Sequence, residues 1–194
     1  MGKKAQIIDA AIDIIMKLGF SNFSVGKVAS LLNVSKGVIT YHFPTKELLL
    51  QSAVMKYYEE AAQYMEEHIR VDKSAKDTLN SYMESNLNFV KGRKKMTIAI
   101  VDIILNSRTS EGEVLFKGGD DSLYQPLIEI FQYGQQVEKT FRDFSPEIMA
   151  RSVRSVIDSI SLAIAKDEIE DVDNAVREVI MIFESATISN KLEE

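Results

Sequence analysis

Residues Ser24–Phe43 read SVGKVASLLNVSKGVITYHF, and this stretch decides the architecture. Ser24 has the small hydroxyl side chain that caps a helix, and Val25, Val28, Ala29 and Leu32 follow at helical spacing. The pattern breaks at Asn33, one of the few residues besides glycine that tolerates left-handed backbone. Ser35 then caps a second short helix that runs through His42. Ala29 is small where two helices must approach closely, and Val34 fills the space between them from the turn. Ile39 and Phe43 lie four apart and face inward, so Lys36, Gly37, Thr40 and Tyr41 face outward. Two short helices joined by a tight turn, the second with short polar and basic groups at its amino end, suit a recognition helix entering a DNA major groove. A plain helical hairpin with a solvated polar face has the same pattern.

Upstream, Ile7, Ile8, Ala11, Ile12, Ile15 and Leu18 predict a first helix, stopped at Gly19 by a left-handed cap. Downstream, Pro44 ends the recognition helix, Thr45 caps the next, and one long helical pattern runs from Lys46 to about His68. At 1.5 Å per residue it spans roughly 35 Å, enough to link two domains. Further helices are expected over about 74–91, 93–108, 122–139, 145–166 and 172–188. Thr109 to Asp121, with Gly112, Gly118 and Gly119, is the expected mobile loop. No segment alternates with period two, so the fold class is all-α. An amino-terminal domain over 1–46 and a larger helical domain over 47–194 are expected.

The charge is divided. The 194 residues carry a net −6, yet residues 1–46 hold six lysines against two aspartates, a net +4 beside −10 for the rest. A basic head on an acidic body can meet a polyanion through one end. Cysteine is absent, which excludes a disulfide framework and thiolate metal sites and fits a reducing compartment. The amino terminus has no apolar segment behind Lys3 and Lys4, and the longest apolar run, Met96–Leu105, contains Asp102 and is too short to cross a bilayer. A cytoplasmic protein without a membrane partner is expected. The two histidines, His42 and His68, form no metal-ligand pattern, and there is no phosphate-cradling glycine loop or serine elbow, so neither enzyme, metal nor cofactor is expected.

From Ile7 to about Leu50 the chain resembles the DNA-binding domain of the tetracycline-repressor (TetR) family. The resemblance rests on Gly19-Phe20, Ser24-Val25, Val28-Ala29, Val34-Ser35-Lys36-Gly37, Tyr41-His42-Phe43 and Thr45-Lys46-Glu47-Leu48. It implies that Ser24, Ser35, Tyr41, His42 and Lys46 contact phosphates, that Lys36, Gly37 and Thr40 lie nearest base edges, and that Lys27 and Val38 complete the DNA-facing set. The family usually has tyrosine where this chain has Thr40; Val38 and Thr40 would each suit a thymine methyl. The resemblance further implies an effector pocket among the later helices, with Tyr82, Asn86, Phe89, Asp102, Tyr124 and Phe131 as expected lining. It also implies a four-helix dimer seam with Met149, Val153, Val156, Ile160, Val176, Val179, Ile180 and Phe183. For Asp102 a helix-surface position, or an ion pair with Arg93, Arg108 or Arg151, is the plainer expectation, and Asp158 is expected near the seam. The implied partners are double-stranded DNA with a palindromic operator, a small-molecule effector and a second copy of the chain. A ligand-independent DNA-binding protein, or a helical carrier or enzyme that has lost DNA binding, are the alternatives.

Overall fold

A computed structural model describes residues 2–117 and 123–189. Among them the chain forms nine α-helices: α1 Lys3–Leu18, α2 Val25–Leu31, α3 Lys36–His42, α4 Lys46–His68, α5 Ala75–Lys91, α6 Lys94–Asn106, α7 Gln125–Gln136, α8 Pro146–Ala165 and α9 Val172–Thr187. A turn of 3-10 helix, Phe20–Asn22, joins the first two. The described backbone has no strand, only two isolated bridges, Arg108 with Val114 and Phe141 with Ile188. The all-α expectation is met.

The local signals act largely as read. Ser24 caps α2 by accepting from the Lys27 amide at 3.3 Å, and the Thr45 hydroxyl accepts from the Leu48 amide at 3.2 Å. Asn33 takes φ 51°, which turns the chain between α2 and α3. Two details differ. Gly19 has φ 79° with ψ 158°, so it is not a left-handed helical cap but an extended mirror-image conformation open essentially to glycine alone. Ser35 holds the cap position of α3 without a side-chain cap bond; its carbonyl instead accepts from the Val38 amide at 3.1 Å.

The chain packs as two compact units. The first comprises Met1–Glu60 and Arg93–Gly118, so α1, α2, α3, the first part of α4 and α6 belong together. Its core holds Ile7, Ile15, Val28, Ile39, Leu49, Leu50, Ile100 and Ile103, each 2 % exposed or less. The helix α6 packs on α1 and on the 3-10 turn. The hydroxyls of Tyr57 in α4 and Thr97 in α6 meet at 2.9 Å inside this unit. Asp9 of α1 is bound by Lys56, which also lies 3.8 Å from Glu60, and Glu60 is 3.6 Å from Arg93. Within the segment expected to be a mobile loop, Thr109 and Glu113 pair through a 2.8 Å backbone bond and Gly112 takes φ 83°, which makes a tight turn. Residues 118–121 of that segment lie outside the described residues.

The second unit comprises Ala61–Gly92 and Gly119–Glu194. Here α5 packs against α7, α8 and α9, and Leu79, Met83, Leu87, Leu127, Phe131, Val153, Ile157 and Ile164 are almost wholly buried. The end of α9 is tied to the segment after α7, with Arg142 N donating to the Thr187 carbonyl at 2.8 Å and Ser189 N to the Thr140 carbonyl at 2.9 Å. Among the described residues no helix is long and apolar enough to cross a membrane.

Candidate nucleic-acid interface

The outward face of α3 follows from its inward one. Ile39 at 0 % and Phe43 at 4 % exposure pin the helix to the core, which turns Lys36, Gly37, Thr40 and Tyr41 to solvent. Tyr41 is 83 % exposed, a large aromatic surface left in water, and its ring meets His42 edge-on at 5.2 Å. Val38 and His42 are half-buried on the flanks. Thr40 is exposed, and its hydroxyl is within reach of the carbonyls of Lys36 and Gly37, to which it donates at 3.3 and 3.2 Å. A Cβ on Gly37 would meet only Ser35 Oγ, at an ordinary 3.5 Å. The fold therefore does not require glycine there, and its bareness instead opens the helix backbone to close approach.

The lysines are exposed and individually steered. Lys27 donates from Nζ to the Asn22 carbonyl at 2.7 Å, while Asn22 donates to the Leu18 carbonyl at 2.8 Å, so this cation is held against the turn after α1. Lys46 lies over the rings of Phe20 and Phe23, 5.3 and 5.4 Å from their centres, and Lys4 lies 5.5 Å from the centre of the Phe43 ring. A cation over an aromatic face keeps its charge while losing some of its freedom. Ser24 accepts a cap bond and retains its own hydroxyl proton for a further acceptor. The expected DNA-facing residues thus share one unit and, apart from the half-buried Val38 and His42, all lie exposed.

The residues expected to line an effector pocket do not form one group. Tyr82, Asn86 and Phe89 lie along α5, with Tyr82 and Phe89 buried. Asn86 donates to the Tyr82 carbonyl at 2.8 Å and to Met65 Sδ at 3.4 Å, and its Oδ1 accepts from Arg154 of α8 at 3.0 Å. Arg154, which sequence reasoning passed over, also pairs with Asp158 at 2.7 Å. Burial works against its charge, but Asp158 and the Tyr82 hydroxyl outweigh it and hold the guanidinium above its ordinary value. The signal was an arginine four residues before Asp158 on an otherwise amphipathic helix. Phe131 belongs to an aromatic cluster with Phe141 and Phe144, at 6.0 and 5.4 Å between ring centres, and Tyr124 carries the Arg151 guanidinium 4.5 Å from its ring. Asp102 lies half-buried on α6, in the other unit. A separate open depression of about 270 Å³ is lined by Ala75 and Thr78 of α5, Glu129, Ile130 and Tyr133 of α7, and Val71 and Lys73 before α5. None of the six expected residues lines it.

Of the residues expected at a dimer seam, Val153, Val176, Val179 and Phe183 are buried within their own chain, at 0 to 7 % exposure, and have little surface to offer a partner. Met149, Val156, Ile160 and Ile180 are half-buried. The outer faces of the same two helices instead expose Ile148, Met181 and Ile182 at 65, 53 and 52 %. Asp158, expected near this seam, lies exposed beside Arg154.

Residues 7–53 match the family model described as bacterial regulatory proteins, tetR family. The helix-turn-helix regulator YerO of Bacillus subtilis is 27 % identical over 157 residues, covering 78 % of this chain and 53 % of YerO. The fatty acid metabolism regulator protein of the same organism is 30 % identical over 96 residues, half of each chain. This chain spans about half the length of these curated relatives. In fold it is similar to the transcriptional regulator FadR of Bacillus subtilis solved with stearoyl-CoA, at TM-score 0.76 and 22 % identity, covering 93 % of this chain and 97 % of that one.

Proposed function

We propose that the chain, whose residues 7–53 match the model of the tetR family of bacterial regulatory proteins, is a one-component transcriptional regulator of that family. It binds operator DNA through α2 and α3, responds to a small-molecule effector through the second unit, and acts as a homodimer. The observation that carries this reading is the α3 face itself: a buried Ile39–Phe43 pair beneath exposed Lys36, Gly37, Thr40 and Tyr41, within residues that match the family model. A net charge of +4 over residues 1–46 supports attraction to phosphates despite the acidic remainder. Two such heads, one helical turn of DNA apart, read a palindrome, and this separation is what an effector changes. Effector and operator then weaken each other reciprocally, typically by ~1–3 kcal/mol, and the regulator acts as a repressor released from its operator.

For the effector, Arg154, paired with Asp158 and donating to Asn86, supports a ligand that carries hydrogen-bond acceptors. Stearoyl-CoA is the first probe, since the similar FadR was solved with it.

Selection of bound sequences from random duplex DNA tests the reading. The expected result is one palindromic site whose affinity falls steeply with salt, and alanine at Lys36, Tyr41 and Lys46 together weakens it by at least about tenfold through lost phosphate contacts. Unchanged affinity in that triple variant would overturn the DNA reading. Operator complexes that withstand saturating stearoyl-CoA would remove acyl thioesters as the effector class and leave the DNA reading in place.

A further inference from the structure

Gly26 is the second residue of α2, and its φ is not in the positive region, so the backbone does not demand glycine there. Glycine inside a helix is less favourable than alanine, which leaves space as the physical reason for its presence. A Cβ built at Gly26 would sit 2.9 Å from Lys36 Cε and 3.4 Å from Lys36 Nζ, with Ser24 Oγ next at 3.8 Å. No backbone atom is among these nearest neighbours. The bare edge of α2 is therefore occupied by the end of the lysine that opens α3.

We infer that Gly26, outside the expected DNA-facing set, is a specificity-determining position that acts by fixing where Lys36 presents its charge. The inference rests on the DNA-binding reading above and assigns a position that reading does not use. Other cations nearby are anchored elsewhere: Lys27 on the Asn22 carbonyl, Lys46 over Phe20 and Phe23. Lys36 is anchored by neither device, and the groove left by Gly26 keeps its ammonium close to α2 instead of extended along α3. Any side chain at position 26 closes that groove. The end of a lysine moves easily, so the cost falls on the position of the charge and not on the fold. A point charge moved by a few ångströms meets a different phosphate or base edge, and that is a change in which DNA is preferred.

The test is a double-mutant cycle on the full chain, using the operator recovered by selection, with G26A, K36A and the combined variant followed by titration and thermal melting. G26A is expected to melt at or above the unsubstituted protein and to bind the operator about five- to tenfold more weakly. Repeating the selection with G26A is expected to recover an altered preference at the position that K36A also relaxes. In the K36A background, the further change to alanine at Gly26 is expected to shift affinity by less than about twofold. Equal losses with and without Lys36, no loss in either, or a lowered melting temperature in both would overturn the role of Gly26 and leave DNA binding standing. Failure of the unsubstituted chain to select any sequence would overturn both.

Discussion

Among the described glycines, Gly134 leaves the least room for a side chain. A Cβ at this position in α7 would lie 2.3 Å from Phe141 Cδ2, 2.6 Å from Phe141 Cε2 and 3.0 Å from the Ala75 Cβ. Phe141 is itself 5 % exposed and shares the aromatic cluster with Phe131, so the ring has little room to retreat. Gly134→Ala is therefore expected to destabilise the chain by about 1–3 kcal/mol, the usual range for overpacking, even though alanine favours helix. A urea titration checks this: the midpoint falls while the slope is kept, and an unchanged midpoint would show that the Phe131–Phe141–Phe144 cluster repacks freely. The contrast with Gly26 is instructive. There the neighbour is the free end of a lysine, and the same substitution is expected to leave stability intact.

At the scale of elements, α6 is held to the first unit by one buried polar contact as well as by its apolar residues. Thr97, 5 % exposed, meets the Tyr57 hydroxyl at 2.9 Å, and Ala99, Ile100 and Ile103 bury the same side of the helix. Thr97→Val keeps the shape and deprives Tyr57 of this partner, with an expected loss of about 0.5–1.5 kcal/mol. Amide exchange that is faster in 94–106 but not in α5 would place the effect, whereas uniform change or none would argue against it. Much of the element order was legible, because α1 to α5 each carry a cap, a breaker or a clean period. The helices α2 and α3 were the clearest, since Ser24, Asn33, Pro44 and Thr45 punctuate them within a few residues. The partner of α6 was not legible. Its run from Met96 to Leu105 is apolar nearly all round, so no stripe points to the surface it covers. The split among the expected seam residues was not legible for a related reason. An apolar face on α8 or α9 has the same spacing whether it faces the chain's own core or a second copy, and Val153, Val176, Val179 and Phe183 face the core. Arg154 was missed because a basic residue on an amphipathic helix reads as surface until a partner such as Asn86, distant in sequence, comes into view.

For the whole molecule, the exposed residues Ile148 of α8 and Met181 and Ile182 of α9 are apolar groups on which the proposed dimer can be tested. Ile182→Glu is expected to convert the proposed dimer to monomer in sedimentation equilibrium with helical content retained, and to weaken palindrome binding more than half-site binding. Retention of the dimer in this variant would move the seam to another face. The melting temperature of the unsubstituted chain is expected to rise with protein concentration, and that of the variant to stay constant.

The first unit draws on two separate stretches of chain, 1–60 and 93–118, and this bears on how the proposed DNA-binding head can be recombined. The proposed DNA-binding head, taken as a contiguous amino-terminal piece, leaves behind α6, the helix that packs on α1 and on the 3-10 turn, and grafts onto a foreign body a surface shaped for a different α6. A chimera that carries residues 1–60 together with 94–106 transplants a finished core, so the heritable module is discontinuous in the gene although it is one object in space.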